Sequence, residues 1–93
     1  MKFRKSKRFQ KSFDGLPTHI QDKTRKAFGL FKRQPHPPFH PSLVIKKIKG
    51  KEGIFEGRVD AFYRFTFEII SDEGETIYYF RNIGPHDITS TAP

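Results

Sequence analysis

The stretch from Ile54 to Asp87, IFEGRVDAFYRFTFEIISDEGETIYYFRNIGPHD, decides the fold of this chain. Apolar and polar residues alternate through its first half, as they do in a β-strand with one buried face. The apolar positions are Phe55, Val59, Tyr63, Phe65, Phe67 and Ile69, and the polar positions are Glu56, Arg58, Arg64, Thr66 and Glu68. A turn at SDEGE separates this half from the segment TIYYFRNIGPHD. The pattern predicts antiparallel strands with an aromatic face and a charged face.

Three arginines fall on the predicted charged face. Arg58 and Arg64 belong to it by alternation, and Arg81 joins them beside Arg64 if Tyr78 and Phe80 point into the core. An ordered arginine loses rotamer freedom, and its charge must stay solvated or paired. Three arginines on neighbouring strands therefore indicate a surface that binds an anion.

The composition limits the class of protein. A chain of 93 residues is long enough for one domain with a modest core. Its 18 lysines and arginines against 10 acidic residues give a formal net charge of +8, which attracts polyanions such as RNA, DNA, an anionic membrane or an acidic protein. The sequence contains no cysteine, no signal-peptide pattern and no apolar run of membrane-spanning length. We therefore expect a cytoplasmic protein that has no disulfides and is not inserted in a membrane.

The rest of the chain predicts an N-terminal strand and a helical hairpin. Residues 1–5 are expected to form a short strand, residues 6–33 a hairpin of two amphipathic helices, and residues 34–42 a proline-rich connector. Residues 43–88 supply the antiparallel strands, and residues 89–93 form a frayed tail. The predicted fold class is α+β, a single domain in which the strand and the helical hairpin pack on one face of a twisted antiparallel sheet.

A lysine cluster accompanies the segment from Leu43 to Ile48, which alternates like a strand. The cluster consists of Lys46, Lys47, Lys49 and Lys51. Such a run of charge is often only a solvated face, but beside an arginine-bearing sheet it extends the same positive field.

Loop residues supply further candidates. Most of the eleven phenylalanines occupy core-facing positions, but Phe39 and Phe62 lie in or near loops and are candidates for stacking on a base. His36 and His40 lie in the proline-rich connector without a third ligand. We therefore predict neither a metal site nor a cofactor.

The order of strand, helical hairpin and antiparallel strands resembles the RelE/ParE superfamily of type II toxin–antitoxin toxins. The segments LPTHIQDKTRKAFGLF, HPSLVIKKIKG, GIFEGRVDAFYRFTFEI and RNIGPHDI carry the resemblance, which covers nearly the whole chain. Its best signature is R-V-D-x-x-Y-R-F followed by a strand and I-G-x-H, which looks like the central sheet and terminal catalytic segment of RelE-like and YafQ-like messenger-RNA endoribonucleases. The resemblance implies a toxin that cleaves messenger RNA in the ribosomal A site and is held inactive by an antitoxin.

The resemblance also implies roles for particular residues. Arg58 and Arg64 correspond to basic positions on the sheet, and His86 corresponds to the basic or histidine position after the glycine. The basic region that such toxins use against RNA corresponds to Lys46, Lys47, Lys49 and Lys51. Many members carry an aromatic residue shortly after the histidine position, where this chain has Ile88, Thr89 and Ser90. Either Tyr79 or another aromatic residue takes that place, or cleavage is weaker or absent.

Metal-free attack by an RNA 2′-hydroxyl requires a base, an acid and positive charge near the phosphate. The candidates for the charge are Arg58, Arg64 and Arg81. His86 is the candidate acid or base, since an imidazole exchanges protons near neutral pH, and the alternative is a histidine that only caps a turn. Supporting residues are Glu56, Glu68, Tyr79 and Asp87. We expect Glu56 and Glu68 to hold Arg58 and Arg64 by ion pairs, with Glu56 as an alternative base.

Two other functions stay open. One is a ParE-like inhibitor of DNA gyrase, and the other is a non-catalytic module that binds ribosomal RNA or an acidic protein. For every toxin interpretation we expect an antitoxin whose acidic segment wraps the helical hairpin or covers the arginine face. The expected RNA partner is messenger RNA on the ribosome.

Overall fold

The computed structural model describes residues 1–93 and contains one five-stranded sheet and three α-helices. The elements are β1 (Lys2–Lys5), α1 (Lys7–Asp14), α2 (Thr18–Arg33), β2 (Lys46–Lys47), β3 (Ile54–Arg58), β4 (Tyr63–Asp72), β5 (Glu75–Pro85) and α3 (Ile88–Thr91). Across the sheet the strands lie in the order β1, β5, β4, β3, β2. Strand β1 runs parallel to β5, and the other neighbours are antiparallel. The predicted α+β fold class is confirmed, with β1 as a parallel edge strand. None of the helices is long and apolar enough to cross a membrane.

The helical hairpin begins at a side-chain cap and packs through one stripe. The Ser6 hydroxyl oxygen accepts a hydrogen bond of 2.9 Å from the backbone N–H of Phe9, which satisfies a free donor of the first turn of α1. Residues spaced one helical turn apart form the buried stripe of α2, namely Ile20, Thr24, Ala27 and Phe31. The opposite side of α2 is polar and exposed.

Aromatic side chains fill the space between the helices and the sheet. Phe31 is fully buried, and its ring centroid lies 5.0 Å from that of Tyr78, 5.2 Å from Phe39 and 5.4 Å from Phe67. The Tyr78 hydroxyl donates a hydrogen bond to the Pro35 carbonyl, and burial raises the pKa of Tyr78. Phe39, predicted as a candidate for base stacking, therefore packs on the core instead of standing free.

The segment from Leu43 to Ile48 is not the continuous strand that its alternation predicts. Residues Pro41–Leu43 form a 3₁₀ turn, and Val44 has a φ of +44°, in the left-handed region. A left-handed β-branched residue interrupts an extended chain. The strand is consequently reduced to β2.

The predicted frayed tail is ordered in the structure. After α3, the Ala92 carbonyl accepts a 2.7 Å hydrogen bond from Asn82 Nδ2. The Pro93 carbonyl accepts 3.0 Å bonds from Thr66 Oγ1 and Arg81 Nε. The sequence did not predict this arrangement, because backbone carbonyls hold the segment to the sheet. Backbone carbonyls are present in every residue and do not affect the pattern of apolar side chains.

A β-bulge interrupts the pairing of the two longest strands. Thr66 pairs with Asn82, but the next residue, Phe67, pairs with Phe80, so Arg81 is the extra residue on β5. Its carbonyl instead accepts hydrogen bonds from Ser6 Oγ at 2.8 Å and from the side chain of Arg8 at 3.3 Å. Helix α1 therefore covers the edge of β5 beyond the end of β1.

Candidate functional site

The sheet face opposite the aromatic core carries the predicted charged residues, and we call it the polar face. In the register of β3 and β4, Arg58 lies opposite Arg64, and Glu56 lies opposite Thr66. Directly opposed residues of an antiparallel pair point to the same side. The predicted placement of Arg58 and Arg64 on one face is therefore what the structure shows.

Arg64 is committed to its own turn. Its Nη1 donates hydrogen bonds to the carbonyls of Asp60 at 2.8 Å, Ala61 at 3.2 Å and Tyr63 at 3.2 Å. Its Nε lies 4.0 Å from Glu56 Oε1, and only 11% of its side chain is exposed. The sequence predicted that the Arg64 guanidinium is free to bind a phosphate. In the structure, this guanidinium instead stabilises the connection between β3 and β4.

The sequence analysis overlooked the second residue that fixes this turn, Asp60. Its Oδ1 accepts hydrogen bonds from the backbone N–H groups of Phe62 at 2.9 Å and Tyr63 at 2.8 Å. Burial by itself raises the pKa of Asp60, but these two bonds and Lys23, 3.3 Å from Oδ2, outweigh it, so the pKa lies below its ordinary value. An aspartate that starts a tight turn is the signal that would have found it.

The sequence predicted that Arg81 lies beside Arg64, but in the structure the two residues are apart. The β5 partner of Arg64 is Gly84, and Arg81 lies about 10 Å farther along the strand. Its Nη1 donates a 2.7 Å bond to Glu68 Oε2. Because its Nε is also bound to the Pro93 carbonyl, this guanidinium is not free to bind an anion as the structure stands.

Arg58 and His86 keep their side chains free at one end of the sheet. Arg58 is the last residue of β3, is exposed, and makes neither a hydrogen bond nor an ion pair. His86 follows the end of β5 directly, and its imidazole is likewise exposed and unbonded, as is the adjacent Asp87 carboxylate. Since Gly84 pairs with Arg64, and Arg64 with Arg58, both free groups lie at the same end of the three central strands.

A basic cavity of about 450 Å³ lies on the polar face between the β2–β3 hairpin and α3. Its lining consists of Lys46, Lys47, Ile48, Lys49, Lys51, Glu56, Thr89 and Ser90. The four lysines face a single carboxylate, so the cavity attracts anions. The hydroxyls of Thr89 and Ser90 are an addition that the sequence analysis missed, because it treated their segment as frayed.

Helix α3 approaches the sheet closely at Gly84. A Cβ on Gly84 would lie 2.9 Å from Cγ2 of Ile88, so only glycine leaves room for the helix there. The His86 carbonyl accepts a 3.0 Å bond from the Thr89 hydroxyl at the start of α3. These contacts fix the cavity wall that α3 provides.

Tyr79 does not substitute for an aromatic residue near His86. It pairs with Glu68 near the middle of β4, about 20 Å along the strand from His86. Elsewhere, His40 Nδ1 accepts a 3.1 Å bond from the N–H of Ser42 and so caps the 3₁₀ turn. No group of three His, Asp or Glu side chains lies close enough together to hold a metal ion.

No protein-family model matches this sequence, and no curated protein matches it. Solved structures do match over nearly the whole chain. YafQ from E. coli strain BL21(DE3) superposes with a TM-score of 0.73 at 12% identity, covering 95% of this chain and 96% of YafQ. A YoeB/ParE toxin from Agrobacterium tumefaciens gives 0.70 at 18% identity, covering 92% and 99%.

A third similar structure is the RelB–RelE antitoxin–toxin complex from Methanococcus jannaschii. Its TM-score is 0.67 at 23% identity, and the alignment covers 97% of this chain and 99% of the other. At identities this low the agreement is one of fold. The resemblance in fold predicted from the sequence is confirmed.

Proposed function

Because this chain has the fold of the RelE/ParE toxins, we propose that it is the toxin of a type II toxin–antitoxin system and cleaves messenger RNA on the ribosome. The observation that carries the proposal is the polar face. This face carries a lysine-lined cavity, and an unpaired arginine and an exposed histidine lie at one end of its central strands. Such a surface offers the cations that bind a phosphate backbone and a group that transfers protons near neutral pH.

The proposed reaction is attack of a 2′-hydroxyl on the adjacent phosphorus. The 2′-oxygen–phosphorus bond forms and the phosphorus–5′-oxygen bond breaks, which leaves a 2′,3′-cyclic phosphate and a 5′-hydroxyl. One proton leaves the 2′-hydroxyl and one is given to the 5′-oxygen. His86 is the candidate for one of these transfers, and the other proton exchanges with water at this exposed end of the sheet. Glu56, the alternative base, lies level with Asn82 across the sheet, two strands and four residues from His86, and is too far away to act on the same phosphate.

The structure changes the roles proposed for the arginines. Arg58 has its full donor fork available for the phosphate oxygens that gain charge. Arg64 and Arg81 act as positioning residues, Arg64 by holding the β3–β4 turn and Arg81 by holding Glu68 and the segment after α3. The lysines of the cavity bind flanking phosphates.

We propose that an antitoxin binds the groove between α1 and α2. This groove has a volume of about 410 Å³, with Phe9, Phe13 and Phe28 as its apolar lining. Basic side chains border it, namely Lys5, Arg25 and Lys32. An acidic amphipathic segment fits this combination, and structures of similar fold were solved as RelB–RelE and DinJ–YafQ complexes. Charge reversal at Arg25 and Lys32 is expected to weaken co-purification with the protein encoded by the neighbouring gene.

The test of the proposed function is a map of RNA 5′ ends in cells after induced expression. We expect cuts within translated messages, which His86→Ala abolishes while the variant stays folded. A DNA-damage response without RNA cuts would instead identify a gyrase inhibitor. Growth arrest with neither signal would identify a binding protein without nuclease activity.

A further inference from the structure

Phe62 is the one exposed phenylalanine among the eleven in this chain, and 68% of its surface is accessible. The other ten are buried or half-buried in and around the aromatic core. A ring left in water forgoes the stabilisation that burial gives. The position of Phe62 is therefore not explained by the packing of this chain alone.

The turn that carries Phe62 is held rigidly. The Asp60 carboxylate accepts a hydrogen bond from the backbone N–H of Phe62. The Arg64 side chain donates hydrogen bonds to the carbonyls of Asp60 and Tyr63, one on each side of the turn. The Lys23–Asp60 ion pair ties the same turn to α2. A ring presented on a fixed turn loses little conformational freedom when a ligand packs on it.

The surroundings of Phe62 favour a nucleic acid over an apolar partner. The turn joins the ends of β3 and β4, where Arg58 is free, and Tyr63 pairs with Pro85, the residue before His86. An aromatic face beside an unpaired guanidinium is the arrangement by which proteins bind single-stranded nucleic acid, the ring stacking on a base and the cation binding the backbone.

We infer that Phe62 is the stacking platform for a base of single-stranded RNA, next to a phosphate bound by Arg58. This inference rests on the proposed function and deepens it. Phe62 binds the substrate and takes no part in proton transfer.

Tryptophan fluorescence tests the inference directly, because the chain contains no tryptophan. Phe62→Trp creates a single reporter, and we expect its emission to fall when a single-stranded RNA oligonucleotide binds. The matched control is Ile69→Trp, at a position that is 42% exposed on β4 and away from this end of the sheet. Its emission is expected to stay constant. Binding measured by anisotropy of labelled RNA without quenching at Phe62→Trp, or no binding at all, would overturn the inference.

A second set of variants separates stacking from folding. Phe62→Ala is expected to weaken RNA binding by about tenfold, while Phe62→Tyr keeps it, because stacking needs only an aromatic face. Both variants should unfold at the same urea concentration as the parent, since the ring is exposed. Equal RNA affinity for Phe62→Ala and the parent would contradict the inference.

The outcomes distinguish this inference from the proposed function. If RNA quenches Phe62→Trp but the parent protein cuts no message, the platform stands and the nuclease proposal fails. If the parent protein cuts messages and Phe62→Ala cuts them equally well, the nuclease proposal is supported and the stacking role of Phe62 is contradicted. Quenching by the antitoxin but not by RNA would assign Phe62 to a protein interface and overturn the inference.

Discussion

At the scale of single residues, Arg58 and Arg64 show that two identical side chains in direct opposition serve different purposes. Like charges opposite each other on a sheet are destabilising. Arg64 offsets this through three carbonyls and Glu56, whereas Arg58 has no compensating contact. The uncompensated charge of Arg58 is the one that the proposed phosphate contact would neutralise.

We predict opposite consequences for the two substitutions. Arg58→Ala should change the free energy of unfolding by less than about 0.5 kcal/mol and lower RNA cleavage by roughly 10²-fold or more. Arg64→Ala should lower the free energy of unfolding by about 1.5–3 kcal/mol, because charge-assisted hydrogen bonds to the turn are lost. Urea unfolding and a cleavage assay on the same samples measure both. Strong destabilisation by Arg58→Ala would show that its charge is structural.

Asp60 makes stability depend on pH in the acid range. Its pKa is lower in the folded chain than in the unfolded chain, so its contribution is complete above the unfolded value, about 4. The contribution is lost as the pH falls through the folded value. Asp60→Asn is expected to flatten this part of the curve of unfolding free energy against pH. An unchanged curve for the variant would mean that other carboxylates produce the acid sensitivity.

At the scale of elements, the close packing of β3 on β4 depends on Gly57. It pairs with Phe65, whose ring lies over it, and a Cβ at this position would be 2.2 Å from the ring carbon Cζ. Both partners are buried, so the ring has no open space into which it can turn. The sequence pattern did not identify Gly57, because alternation is defined by side chains and glycine has none.

Two glycine substitutions should shift stability in opposite directions. Gly57→Ala is expected to lower the free energy of unfolding by about 1–3 kcal/mol through overpacking. Gly29→Ala, in α2 with nothing within 4 Å of the added Cβ, should raise it by up to about 1 kcal/mol through helix propensity. Urea unfolding of the two variants in parallel gives the comparison. A stable Gly57→Ala variant would show that Phe65 repacks easily.

Alternation along the sequence was enough to predict β4, the buried ring of Phe65 and the shared face of Arg58 and Arg64. It was not enough for the partners of the arginines, because carbonyl acceptors such as those of Asp60 and Pro93 are present in every residue and carry no sequence signal. The left-handed turn at Val44 was likewise hidden, since a β-branched residue favours an extended chain. Of the expected ion pairs, the one between Glu56 and Arg64 is present, whereas Glu68 pairs with Arg81. The carbonyl acceptors of the two arginines were not predicted.

At the scale of the whole molecule, the net charge of +8 comes from residues 1–33, which hold 11 of the 18 basic and 2 of the 10 acidic residues. The cavity on the polar face is a separate local cluster of four lysines beside one carboxylate. The charge that neutralises a phosphate releases counterions from the nucleic acid. RNA affinity should accordingly fall steeply as the salt concentration rises.

We predict that individual lysines contribute unequally to this salt dependence. Lys46→Ala, at the β2 position opposite Glu56, should reduce the slope of log affinity against log salt by about 0.7, the value for one contact with a single-stranded backbone. Lys11→Ala is the control, since Lys11 is exposed on α1 and lies outside the cavity. Equal slopes for the two variants would place the RNA elsewhere on the surface.

The bulge at Arg81 changes which residues of β5 face the helices. Before it, the even-numbered Tyr78 and Phe80 point to the helices, and after it the odd-numbered Ile83 does so. Asn82 and Gly84 consequently lie on the polar face, opposite Thr66 and Arg64. By the same alternation, His86 follows on that side of the sheet. If Arg81 took a regular place in the ladder, the residues after it would keep the alternation of Tyr78 and Phe80, and the end of this strand would turn inside out. The bulge thus keeps the imidazole in the half of the protein that meets solvent.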